Sequence, residues 1–447
     1  MSKYRNLVLA LVSIMIVNQS DISALLVPDV TKQATAEEQK IVSNSSKIGP
    51  NVQRLPLTNL LDPSVLIDAK EGLKHKNNSI LQMSLNELLQ EANSFLIKKP
   101  HSVIEKLQLP ASGNKHDFLS LAPYMWPDPS KPKGVPYIAR DGEVNPEVNS
   151  IPDKKNLGVM THMVKILSLS YFFTDNPIYA SKAGELLRVW FLNEKTHMNP
   201  NLKYAEMFRG KNNGSAQGIM AGVNLPEVID AVGLIQNSQT WTKQDQRGME
   251  LWFSEYLDWL LNSNYGKQEA QKINNHGTYY KVQASSIALF LNRTDIAKSI
   301  LNAIMQEPSS ATFVDIQKQL AATVQPDGRQ PFELIRSNSL DYSMFNLLGL
   351  FRLASIGKRI GMDLWHYETS QGAGLQTALD YLLPYALKKQ DWPYSQTASI
   401  STSRLVELLC QATIHFKNNE EYIQAYEPFK EVTTRTTSIA NLVYLCG

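Results

Sequence analysis

Apolar residues recur along this chain at helical spacing, from about position 63 almost to its end. In SLNELLQEANSFLIKK, Leu85, Leu88, Leu89, Ala92, Phe95 and Leu96 fall on one face, with steps of three and four. Ser84 followed by Glu87 predicts a capping box at the start of that helix, and Pro100 its end. Leu157, Met160, Val164, Leu167 and Tyr171 form another stripe, Leu186, Leu187 and Trp190 belong to a further one, and Leu225, Ile229, Val232 and Ile235 follow. Thr242 is placed to cap a helix carrying Met249, Trp252, Phe253, Tyr256 and Leu260. More stripes lie near 278–291, 295–306, 311–323, 340–356, 373–388 and 402–417, and alternating strand patterns are scarce. Helices joined mostly by short loops predict an all-α protein of antiparallel hairpins. A solenoid of helix pairs and an α/α toroid both fit; the lack of a fixed repeat of about 30–45 residues weakens the solenoid. The expectation is an α/α toroid, an incomplete barrel of helix hairpins over 63–447, with one concave mouth.

Two regions break the pattern. The N-terminus reads MSKYR, then the apolar NLVLALVSIMIV, then polar NQSD and a small residue at Ala24. This predicts a signal peptide over 1–24, a secreted or periplasmic protein and no stable membrane association after cleavage. Residues 25–62 read as a poorly ordered lead-in. The second region is NKHDFLSLAPYMWPDPSKPKGVPYIARDGEVNPEV, residues 114–148. Its prolines forbid regular helix. Tyr124, Trp126 and Tyr137 argue for a long ordered loop, and loops of that length are commonly functional.

Composition is ordinary, with 43% hydrophobic and 19% charged residues and a net charge of +2. No basic footprint points to nucleic acid. Cys410 and Cys446 either pair or stand as separate thiols; spacing does not decide. N-glycosylation sequons occur at Asn44, Asn77, Asn213 and Asn292 and matter only in a eukaryotic host. There is no nucleophile elbow, zincin motif, phosphate loop or dinucleotide fingerprint, and no strong metal site. No cofactor is expected.

The remaining chemistry is that of amides, imidazole, guanidinium and phenol. Asn274, Asn275 and His276 open a helix in QKINNHGTYYKVQA, with Tyr280 shortly after. QPDGRQPFELIRSNSLDYSMFNL, residues 325–347, carries Arg329, Glu333, Arg336 and Tyr342. A uronate C5 proton lies α to a carboxylate. Its removal becomes feasible once amide, imidazolium or guanidinium donors neutralise that carboxylate. Asn275, His276 and Arg336 are such donors, and Tyr342 can serve as base, acid or both, its phenolate favoured by a nearby Arg. The result is β-elimination at O4. Taken singly, the same residues also fit a helix cap, a surface ion pair and a core tyrosine.

The 114–147 stretch, NNHGTYYKVQ, the 325–347 block, LWHYETSQGAGLQTALDYLLPY and MNPNLKYAEM together resemble the alginate-lyase-domain family of polysaccharide lyases. The resemblance implies an α/α toroid, β-elimination on an anionic uronate polysaccharide, and roles for Asn275, His276, Arg336 and Tyr342 at the carboxylate and in proton transfer. His276 is then a possible base for one C5 stereochemistry. Alginate, above all its mannuronate stretches, is the first substrate expected, and glucuronan-like polymers the second. Asn274, Tyr124, Trp126, Tyr137, Arg329 and Tyr280 are candidate sugar contacts; Asp117, Arg140 and Glu333 are read as scaffold. Relatives often read A-R-T-R-S-L-H-Y where this chain has IRSNSLDY, so Asn338 and Asp341 stand where Arg and His are common, and an Arg expected near Asn224 is missing. Two rivals remain. One is a toroid glycoside hydrolase using Asp117 with Glu227 or Asp327 with Glu333. The other is an inactive glycan-binding relative.

Overall fold

Almost every clear apolar stripe forms a helix. The computed structural model describes residues 55–75, 78–306, 320–416, 420–430 and 435–446. The signal peptide, the lead-in up to position 54 and the 311–319 part of one stripe lie outside the described residues. In chain order the helices are α1 Pro63–Gly72, α2 Ser79–Leu96, α3 Asp153–Thr174, α4 Pro177–Leu187, α5 Leu225–Ile235, α6 Lys243–Asn262, α7 Asn264–Ala270, α8 Asn275–Phe290, α9 Thr294–Ile304, α10 Leu320–Thr323, α11 Pro331–Leu334, α12 Ser339–Arg359, α13 Leu375–Ala386, α14 Thr402–His415, α15 Glu420–Lys430 and α16 Arg435–Tyr444. Four short strands complete the set: β1 Leu119–Leu121 runs parallel to β4 Tyr204–Met207, and β2 Met125–Trp126 pairs antiparallel with β3 Ile138–Ala139.

The packing forms a ring. α2 packs on α3, α3 on α5, α5 on α8, α8 on α12, α12 on α14, α14 on α16, and α16 on α2. α4, α6, α9, α13 and α15 pack outside, on α3, α8, α8, α12 and α14 respectively. This is the α/α toroid expected. α8 joins the two apolar cores: Tyr280, Ala284 and Ile287 belong to one and Val282 to the other. It is buried on nearly every face, as a helix enclosed on all sides must be.

The ring's axis is charged. Glu227 pairs with Lys165 at 3.2 Å and Arg352 at 2.8 Å, and Tyr444 donates to Glu407 at 3.0 Å. Burial alone would raise the Glu227 pKa, but the two cations pull it down to about 2. Asp230, also on α5, accepts backbone N–H groups from Asn59 at 2.6 Å, Leu60 at 3.1 Å and Leu61 at 2.9 Å. The last residues of the expected poorly ordered lead-in are therefore tied to the ring.

Of the two helix starts assigned to a capping residue from sequence, one holds. Thr242 and Asp245 form the capping box of α6. Ser84 does not cap: α2 begins five residues earlier, Asn78 caps it, and Ser84 is buried mid-helix as acceptor of an Asn441 N–H at 3.3 Å. Cys410 and Cys446 pair, with Cα atoms 5.2 Å apart, and join the chain's tail to α14.

Candidate active site

The site begins with a turn that only glycine permits. Lys272 donates its N–H to the Glu269 carbonyl at 3.1 Å, and its own carbonyl lies against the first turn of α8. A Cβ on Gly277 would sit 1.8 Å from that carbonyl oxygen. Asn274 caps α8 by accepting the His276 N–H at 3.2 Å. The N-N-H-G order thus fixes the 272–276 turn against the helix. Gly277→Ala is expected to force the two apart, costing about 1–3 kcal/mol and displacing His276. Thermal unfolding and kcat on the same variant check this.

Each of the three neighbouring polar side chains has a carboxylate partner. His276 Nδ1 is bound to Glu269, on α7, whose side chain is fully buried. A carboxylate accepts, so Nδ1 carries a proton, and in the neutral imidazole Nε2 is the acceptor. Asn275 donates its backbone N–H to Glu333 at 2.6 Å, and its Nδ2 lies 3.0 and 2.9 Å from the two Glu333 oxygens. Those oxygens subtend a much smaller angle at Nδ2 than its two N–H bonds do. One N–H is shared between them and the other remains for the cleft. Arg336 donates from Nε and Nη2 to Asp141, the shortest contact being 2.6 Å, and its guanidinium carbon sits 3.7 Å from the centroid of the Tyr342 ring.

Tyr342 lies one turn into α12, and its hydroxyl is 2.6 Å from that of Tyr124. Burial pushes the phenol's pKa well up, the Tyr124 hydrogen bond pushes it the same way, and Arg336 opposes both without prevailing. Arg336 does favour the phenolate, as expected from sequence, but desolvation of the phenolate outweighs one cation, and the resting group is a neutral phenol.

These residues share a cleft of about 490 Å³. The proline-rich loop supplies Tyr124, Met125, Ala139 and Asp141 to its lining, and the segments around α8 and α12 supply Lys272, Asn274, Asn275, His276, Arg336, Tyr342 and Phe345; Lys154, Glu206, Phe208, Gln217 and Met220 also line it. Of the ten residues proposed from sequence, Tyr342, His276, Asn275, Arg336, Asn274 and Tyr124 are brought together here. The other four are not among the lining residues. Trp126 donates to the Glu143 carbonyl at 2.9 Å and stacks under Arg140. Tyr137 donates to Glu147 at 2.8 Å and faces a separate small void. Tyr280 is buried, donating to the Leu260 carbonyl at 3.0 Å. Arg329 is exposed and paired with Asp327 at 2.6 Å. In each case a local polar partner or the core claims the side chain.

Sequence reasoning missed Glu269 and Asp141, and read Glu333 as scaffold without assigning it Asn275. Only Glu269, seven residues before His276, carried a local signal. The carboxylate pairs nominated from sequence for a hydrolase do not line this cleft. Asp117 accepts from Ser112 and Asn199, Glu227 is on the ring axis, Asp327 is on the surface and Glu333 is fully buried. Asn338 and Asp341, the departures from the family pattern, also lie off the cleft wall. Asn338 accepts from Thr397 and Ala398, and Asp341 pairs with Arg404 at 2.6 Å.

Comparison with known proteins agrees with this geometry. The alginate lyase family model matches residues 102–392. An alginate lyase from Bacteroides ovatus is 33% identical, the match covering 87% of this chain and 99% of that one with a TM-score of 0.79. A histidine-to-alanine variant of alginate lyase A1-III complexed with tetrasaccharide is 14% identical over 89% of this chain and 98% of that one, with a TM-score of 0.52, a likeness of fold alone. No curated protein matches. With its family match spanning all the cleft-lining residues and its ring shared with a solved relative, this chain belongs to the alginate lyase family and is a polysaccharide lyase.

Proposed function

We propose that the chain is a secreted or periplasmic lyase that cuts uronate-containing glycans by β-elimination at the C4–O bond. Alginate, especially its mannuronate stretches, is the first substrate and glucuronan-like polymers the second. The observation that carries the reading is the meeting of Asn275, His276, Arg336 and a neutral Tyr342 phenol on one cleft. Arg336 and the free Asn275 N–H take the uronate carboxylate and draw charge from C5 as its proton leaves. His276 Nε2, the acceptor in the neutral imidazole, takes the C5 proton. The C5–H electron pair forms the C4–C5 double bond, the C4–O bond breaks, and the Tyr342 phenol gives its proton to the departing oxygen. Arg336, stacked on the ring, favours the phenolate until a proton returns from solvent. The likeness to the Bacteroides ovatus alginate lyase supports a uronate polymer as substrate. Placement of Asn338 and Asp341 off the cleft removes the reason for reading the protein as an inactive relative. The apolar segment after MSKYR supports export.

The test is a screen of purified protein against uronate polymers at several pH values, read by near-ultraviolet absorbance of the unsaturated product. Growth of that absorbance on polymannuronate is expected. Chain shortening without it would exclude elimination.

A further inference from the structure

Arg336 is gripped on one edge only. Its Nε lies 3.1 and 3.2 Å from the two Asp141 oxygens, and its Nη2 2.6 Å from one of them. Asp141 also accepts the Ser337 N–H at 2.8 Å, so it holds the backbone just beyond the guanidinium as well as the guanidinium itself. The flat face of the cation rests on the Tyr342 ring, 3.7 Å from its centroid. A guanidinium offers a second, end-on pair of N–H groups, on Nη1 and Nη2. That pair has no hydrogen-bond partner among the described residues.

Asp141 reaches this position from the proline-rich loop, 195 residues away in sequence. Its loop is shaped for the approach. Gly142 has φ +80°, and a Cβ there would lie 2.2 Å from Ser337 Oγ. Burial raises the Asp141 pKa, but the hydrogen bonds from Arg336 and Ser337 bring it below the ordinary carboxylate value, so the residue is charged throughout the neutral range.

The geometry points to Asp141 as a positioning residue for the reaction: it holds Arg336 side-on, pressed to the Tyr342 ring, so that the end-on N–H pair faces the substrate carboxylate. This rests on the β-elimination reading above. An Arg without that brace has several rotamers open to it, and a fork displaced by about 1 Å forfeits on the order of 10²-fold in rate. In this arrangement the contribution of Asp141 passes through Arg336.

A double-mutant cycle tests this. Wild type, Asp141→Asn, Arg336→Ala and the double variant are compared in kcat and KM on polymannuronate, with thermal unfolding of each as a check on folding. Asp141→Asn is expected to lower kcat about tenfold to a hundredfold with a smaller change in KM. In the Arg336→Ala background the same substitution is expected to cost less than about twofold, since nothing is left to position. Equal losses in both backgrounds, or full activity in Asp141→Asn, would overturn the assignment while leaving the lyase reading intact. A wild-type protein inert on every uronate polymer would sink that reading and this inference with it.

Discussion

Tyr342→Phe is expected to lower kcat on a uronate polymer by about 10²–10⁴-fold, the usual contribution of a general acid. KM should change little, because the phenol hydroxyl acts on the departing oxygen in the transition state rather than on the resting sugar. The ring itself is retained, so the stacking with Arg336 survives and the fold should not suffer. The same account sets the alkaline limit of the wild type. Burial and the Tyr124 hydrogen bond raise the phenol's pKa, so the acid form persists above about pH 10, the ordinary tyrosine value. Activity governed by this group is therefore lost only above that point, and the phenol does not limit the rate across the neutral range. A Tyr342→Phe variant retaining more than about a tenth of wild-type kcat would show that the leaving oxygen is protonated by something else.

His276→Ala is the second large effect, again about 10²–10⁴-fold in kcat. It separates two ways of arranging the proton transfers. If the imidazole takes the C5 proton, its removal is as damaging as loss of the phenol. If Tyr342 performs both transfers, the histidine only assists the carboxylate, and the loss shrinks toward about 10²-fold, that of a single lost donor. The resting geometry favours the divided arrangement, with an imidazole oriented through Nδ1 by Glu269 beside a protonated phenol. A neutral phenol with a raised pKa is a poor base at neutral pH, whereas a neutral imidazole whose Nδ1 proton is held by a buried carboxylate presents a free lone pair. Measuring kcat for His276→Ala on mannuronate-rich polymer decides between them.

The ring was readable from sequence because its helices advertise themselves one at a time. Stripes such as Leu225, Ile229, Val232 and Ile235 need only the periodicity of an element packed on one side. α8 is harder: its surroundings bury Ser285 and Gln283 as thoroughly as Ile287, so its polar positions do not mark a solvent face. Ser84 and Glu87 matched a capping pattern, yet the helix had already begun at Ser79, since a pattern of two residues does not exclude an earlier start.

The site was partly legible for a similar reason. Asn274, Asn275 and His276 are polar residues at a helix opening, and their clustering is visible in the string. Their partners are not. Glu333 meets Asn275 across 58 residues and Asp141 meets Arg336 across 195, pairings set only by closure of the ring and the path of the proline-rich loop. The aromatic residues of that loop misled in the opposite direction. Trp126 and Tyr137 look like sugar platforms in sequence, but each spends its polar atom on a neighbouring carbonyl or carboxylate that holds the loop in shape. Tyr124, two residues before Trp126, is the one whose hydroxyl reaches Tyr342.

Mass analysis of the oligomers released from polymannuronate by the purified protein tests elimination most directly. The account predicts that every newly formed non-reducing end is lighter by one water than the corresponding hydrolysis product, and that such ends all but vanish with Tyr342→Phe. New ends carrying the full mass of water, or light ends formed undiminished by Tyr342→Phe, would contradict it.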